Sequence, residues 1–239
     1  MPASSIPVKS IPSLLIPASL ILLAACAQPR MVPPDDVAKG TVLEVKNRSS
    51  ASGALIKEDF ELGPYKVAKV DRSWIHGKGS GFGGYSDKSS KATYSYDLQG
   101  GAQAWKGNCA LTKDEKNFKL GKGMSLGESK AGLSCGCADG SRSGRIELTR
   151  NASGEFEGSL SPAGTAYALR PVKETDRKYF GGEPAGYRFD GTDGPRGAVE
   201  MLKPGRIWFT EKMAESEREP GACLLAGLML YMEPRDQDD

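Results

Sequence analysis

Along most of the chain, apolar and polar side chains alternate in short runs with a period of two. Ala92 to Leu98 is the clearest case: Tyr94, Tyr96 and Leu98 fall on one face, and Thr93, Ser95 and Asp97 on the other. Such alternation is the pattern of a half-buried β-strand. Similar runs occur at Thr41 to Lys46, Phe60 to Leu62, Gln103 to Leu111, Lys130 to Ala138, Thr165 to Arg170 and Tyr187 to Asp190. Ile146 and Leu148 face Phe156 and Leu160 across a turn at Asn151 to Gly154, and Ala198 to Leu202 pairs with Arg206 to Phe209. Tyr65 to Trp74 changes parity, with Tyr65 and Val67 on one face but Val70, Arg72 and Trp74 on the other, so a bulge is expected near Ala68.

The alternation stops at Ala222 to Met232, where Cys223, Leu224, Leu225, Leu228, Met229, Leu230 and Met232 leave no polar face. At about 1.5 Å per residue a helix here spans roughly 16 Å, about half a bilayer core, so it belongs inside the protein. A helix apolar on every side needs neighbours on every side. The expectation is a mostly β fold, an antiparallel barrel or two-sheet sandwich enclosing an apolar C-terminal helix. One domain over residues 40–232 accounts for the pattern, and residues 233–239 read as a disordered acidic tail. A run of strands closed by the hairpin Ala198 to Phe209 and then the helix resembles the layout of tubby and scramblase-like barrels. That resemblance implies interaction with lipid.

The first residues follow a different rule. Lys9 precedes an apolar run from Ile11 to Ala25 that Pro12 and Pro17 interrupt, and small residues lead to Cys26. Basic, apolar and cleavage regions in this order are the build of a secretory signal peptide. Leu23, Ala24, Ala25 and Cys26 resemble the lipobox of bacterial lipoproteins. The resemblance implies cleavage after residue 25, a diacylglyceryl group on the Cys26 sulfur, and an acylated protein held at the membrane of the cell envelope. With Ala27 next, where Asp is the inner-membrane retention signal, family analogy favours the outer membrane. Residues 26–39, rich in proline and polar groups, read as the lipidated N-terminus and its tether.

Composition narrows the chemistry. The 239 residues carry a formal charge of +2, and loss of residues 1–25 removes only Lys9 from the charged set. Near neutrality gives no electrostatic footprint for nucleic acid. Lys113, Lys116, Lys119 and Lys122, with Asp114 and Glu115 among them, read as a solvated loop. In an exported chain Cys109, Cys135, Cys137 and Cys223 are disulfide candidates. Cys135 and Cys137 share one face of a strand, so one of them can meet Cys109, and Cys223 pairs with the other or stays a buried thiol. The spacings lack zinc knuckles, and no metal or cofactor is expected.

Gly79, Gly81 and Gly84 match the spacing of a dinucleotide fingerprint but precede a strand, where the fingerprint requires a helix. A flexible loop is the simpler reading, and His76, Phe82 and Tyr85 make it a candidate contact surface. His76 is the only histidine, beside Trp74, and neither a nucleophile elbow nor a zinc-hydrolase pair accompanies it. The functional expectation is a non-catalytic binding or structural module at the membrane, with a lipid or an envelope protein as partner. A lipid-binding barrel is the alternative, and a hydrolase using His76 a more remote one.

Overall fold

The computed structural model describes residues 28–49, 58–73, 78–82, 85–121, 124–151 and 154–231. Cys26, His76, Trp74 and the tail at 233–239 lie outside the described residues. Among the described residues thirteen strands form one antiparallel sheet: β1 (Thr41–Lys46), β2 (Phe60–Leu62), β3 (Tyr65–Ser73), β4 (Lys78–Phe82), β5 (Tyr85–Gln99), β6 (Trp105–Gly121), β7 (Met124–Ala138), β8 (Ser143–Arg150), β9 (Phe156–Ser161), β10 (Tyr167–Val172), β11 (Gly186–Gly191), β12 (Gly194–Glu200) and β13 (Arg206–Phe209). Sequential neighbours pair, except that β13 returns to β1 and β3 pairs with β5. Those two contacts close twelve strands into a barrel and leave β4 outside the ring. Closure settles the choice between barrel and sandwich.

The barrel's filling is α2 (Glu215–Leu230), and Pro220 to Leu230 are all buried. Inward-facing side chains of the strands meet it: Tyr94, Tyr96, Leu98, Leu111, Leu133, Ile146, Leu160, Leu169, Phe189 and Ile207 belong to the same core. The two tyrosines satisfy their hydroxyls on the helix backbone. Tyr94 donates to the Gly227 carbonyl and Tyr96 to the Cys223 carbonyl, each at 2.8 Å. Gly227 must lack a side chain here, because a Cβ would run into Tyr96 Oη and lie 3.0 Å from Cys109 Sγ.

The helix begins earlier than its apolar run. Glu215 to Glu219 form its first turn because their side chains find partners on the barrel rim. Tyr167 donates to Glu217 Oε2 at 2.6 Å, and Arg142 donates to Glu219 Oε2 at 3.0 Å. At the other end two cations meet the free carbonyls. Arg48 Nη2 donates to Met229 O at 2.5 Å and Arg72 Nη2 to Leu230 O at 2.7 Å, the sign of charge that a helix C-terminus favours. Burial pulls the Arg48 guanidinium down to about 10, still cationic at neutral pH.

The expected bulge is present as a register shift between Ala68 and Asp71 against β5. The tether expected over residues 26–39 requires correction, because its latter part is folded. Met31 and Val37, the latter in the short α1 (Asp35–Ala38), pack with Val172, Ala185, Ala198 and Trp208 as a second apolar cluster. Glu200, with no solvent exposure, holds the entering chain. It accepts from Arg30 Nε at 3.0 Å, Arg30 Nη2 at 2.8 Å, the Met31 amide at 2.8 Å and Arg206 Nε at 2.9 Å. Two apolar side chains among prolines are a faint signal, and their partners lie over a hundred residues away in sequence.

Two further expectations change. Lys113 to Gly121 is not a solvated loop but the second half of β6, and Lys78 to Phe82 is a strand, not a flexible loop. Polar residues hold these extended positions because opposite charges face each other across the ladder. Asp87 opposes Lys116, which opposes Glu128, and Asp114 opposes Lys130.

Candidate functional site

Beyond Thr93, Thr112 and Ala131 the strands β5, β6 and β7 outrun the barrel, since among the described residues β3 pairs with β5 only up to Thr93 and β8 with β7 only down to Gly132. Their outer halves, joined by β4 on one edge, form a four-stranded tongue. From Ala92 to Tyr85 it extends roughly 23 Å at about 3.3 Å per residue. Near its tip Phe82 is the register partner of Tyr85, Tyr85 of Phe118, and Phe118 of Leu126. Directly opposed residues share a face, so the four side chains make one apolar row about 14 Å wide at about 4.8 Å per strand step. They are 94%, 40%, 47% and 67% exposed, and among the described residues they are four of the seven exposed large hydrophobics.

Phe82 and Tyr85, expected in one contact loop, are thus brought together as a cross-strand pair in a hairpin. Phe118 and Leu126 were not legible as their partners, although their positions in the sequence on either side of Gly121 and Gly123 were a usable signal. The next row on that face is charged, with Asp87, Lys116 and Glu128. Gly79 and Gly81 lie on β4, and the element that follows is β5 and not a helix, so the dinucleotide spacing has no helix N-terminus to serve.

The four cysteines form two disulfides. Cys109 and Cys135 are register partners on β6 and β7, with Cα atoms 4.0 Å apart, and Cys137 on β7 joins Cys223 of α2. Wall is bonded to wall, and wall to helix. Loop-closure entropy for separations of 26 and 86 residues corresponds to about 3.5 and about 4.6 kcal/mol.

A cleft of ≈ 410 Å³ opens at the N-terminal end of α2, lined by Tyr65, Gly101, Arg142, Glu215, Arg218 and Glu219 among others. Its charges are engaged with one another. Arg142 bridges Asp139 and Glu219 and lies over the Trp105 ring, 4.8 Å from the centroid, and Arg218 pairs with Glu215 at 3.0 Å. The Arg142 amide, with Ser141, holds the Asp139 carboxyl well below the usual carboxylate range. Burial, with Glu219 and Glu215 adding, raises the Tyr65 phenol. The arrangement is a network of mutual neutralisation at the end of the barrel where α2 begins. Among the described residues no group of three or more His, Cys, Asp or Glu gathers closely enough to hold a metal ion.

Compared with known proteins, the chain matches no family model, no curated protein and no solved structure. The functional reading therefore rests on its own geometry. No helix among the described residues is long and apolar enough to cross a membrane.

Proposed function

We propose that this protein is a lipid-anchored component of a bacterial cell envelope, held at the membrane through Cys26, with the outer membrane favoured. It acts there as a non-catalytic binding or structural module. The observation that supports the module reading is the filled barrel: α2 and its two tyrosine hydrogen bonds occupy the interior, so a partner is met on the outside, where the tongue exposes its apolar row. The disulfides suit an oxidising compartment. A second reading, a lipid-binding barrel of the tubby and scramblase-like kind, draws on the same enclosed helix. With the interior filled, its lipid contact would also fall to the outer surface.

Cell fractionation and intact mass test the anchor. Parent protein is expected in the membrane fraction with an acylated residue 26, and Cys26→Ser is expected to lose both. Equal fractionation of the two proteins, with no acyl mass on the parent, would remove the proposal.

A further inference from the structure

The apolar row lies at the extreme end of the tongue, and the chain around it is cationic. Gly79 to Ser86 holds no charged residue, and Asn117 to Gly127 holds Lys119 and Lys122 with no acidic one. An apolar tip with added lysines complements a surface that is hydrocarbon beneath and anionic above. The tongue's edges do not favour a second copy. Glu128 and Lys130 sit on the β7 edge and Gly79 and Gly81 on the β4 edge, a charged and a glycine-weakened border that discourages strand addition.

The entry of the chain points the same way. Arg72, whose register partner is Tyr94 at the base of the tongue, binds the last carbonyl of α2. Arg48 joins that end of the helix to Met201, since it donates to both Met229 O and Met201 O. Glu200, next to Met201, clamps Arg30. Arg30 and the tongue are therefore at the same end of the barrel, and the cleft beside Glu219 is at the other. From Arg30 to Cys26 the chain spans at most about 14 Å for four residues, less than the roughly 23 Å length of the tongue. A lipid on Cys26 cannot hold the barrel away from the bilayer by the tongue's own length.

We infer that the tip formed by Phe82, Tyr85, Phe118 and Leu126 inserts into the surface of an anionic phospholipid bilayer, giving the molecule a second contact with the membrane that anchors it. The orientation rests on the anchor at Cys26. The charge and apolarity of the tip do not. The charged row of Asp87, Lys116 and Glu128 sets the depth, because these side chains stay in the headgroup region while the apolar row beyond them enters.

The test places an indole at the most exposed position. Full-length Phe82→Trp protein, with Cys26 intact or as Cys26→Ser, is added to vesicles of phosphatidylglycerol and phosphatidylethanolamine with brominated acyl chains. Emission added over the parent is measured together with intact mass. The added indole is expected to shift to the blue and to be quenched several-fold. Lys119→Gln is expected to raise the lipid concentration for half-maximal quenching about fivefold, the factor for one lysine leaving an anionic surface. An acylated Cys26 with an unquenched indole overturns the inference and leaves the anchor standing. A quenched indole without acyl mass supports the tip contact while the anchor fails. If the indole is unquenched and sedimentation shows a dimer that Phe118→Ser dissociates, the inference is overturned and the row belongs to a second copy.

Discussion

The two halves of β5, β6 and β7 share strands and register but reverse their faces. Within the barrel the inward face carries Tyr94, Tyr96 and Leu98, then Cys109 and Leu111, then Leu133, Cys135 and Cys137. Followed outward along the same face, the residues become Ser90, Lys88 and Ser86, then Lys113, Glu115 and Asn117, then Ser129 and Gly127. In the tongue the apolar side chains stand on the opposite face. A strand's apolar parity follows what lies against it. The inner halves have α2, and among the described residues the apolar row of the outer halves stays exposed, with no such cover.

The comparison predicts opposite responses to the same kind of substitution. Leu228→Ala, against the barrel wall, is expected to cost about 2–5 kcal/mol in urea unfolding. Phe118→Ala at the tip is expected to stay within about 0.5 kcal/mol of the parent. Equal losses would mean that the tongue is part of the cooperative unit. Replacing Cys137 and Cys223 together by serine should rank beside the core truncation, at about 2–5 kcal/mol, with the tip row still exposed to a soluble quencher after Phe82→Trp.

Comparable in size, but local, is the effect of the clamp at Glu200. Removing a buried carboxylate that two arginines share is expected to cost about 3–5 kcal/mol locally. In Glu200→Ala, amide exchange should accelerate over residues 30–38 while α2 stays protected. Loss of protection throughout would instead make the clamp a keystone of the barrel.

Gly227→Ala should cost about 1–3 kcal/mol through overpacking against Tyr96. Tyr96→Phe removes the atom that the new methyl meets, so the double variant should lose less than the sum of the two single losses. Additive losses would show that the helix moves to make room.

The smallest effects come with pH. Tyr94, Tyr96, Tyr167 and Tyr187 all have phenols raised by burial, that of Tyr167 to about 12. An acid whose folded value exceeds its unfolded value of about 10 stabilises the fold fully below pH 10 and less as pH rises through the folded value. Stability should therefore decline above pH 10, with the phenolate absorbance of these four tyrosines appearing only as unfolding proceeds. Asp139 has the opposite sign. Its lowered carboxyl contributes above the usual aspartate range and loses that contribution as pH falls, so Asp139→Asn should flatten the acid side of the profile.

Much of the barrel was legible because its signals are local. The Tyr94, Tyr96, Leu98 alternation, the parity change near Ala68 and the apolar helix each follow from a few neighbouring residues and the period of their secondary structure. The tongue was not, because Lys113 to Lys122 carries no apolar alternation, and its strands depend on charges aligned across the ladder. Only Phe82 and Tyr85 of the tip row stood out, through their place between glycines.

By itself, then, the sequence determined a mostly β domain around one apolar helix, the bulge in β3, and the pool of cysteines from which bonds could form. Only the tertiary structure decided closure, the pairing of Cys137 with Cys223, the clamping of residues 30–38, and the meeting of Phe82, Tyr85, Phe118 and Leu126. Each of those depends on register between segments far apart in the chain. Register is set by the sum of many weak cross-strand contacts and the core they enclose, and no single stretch of residues contains that sum.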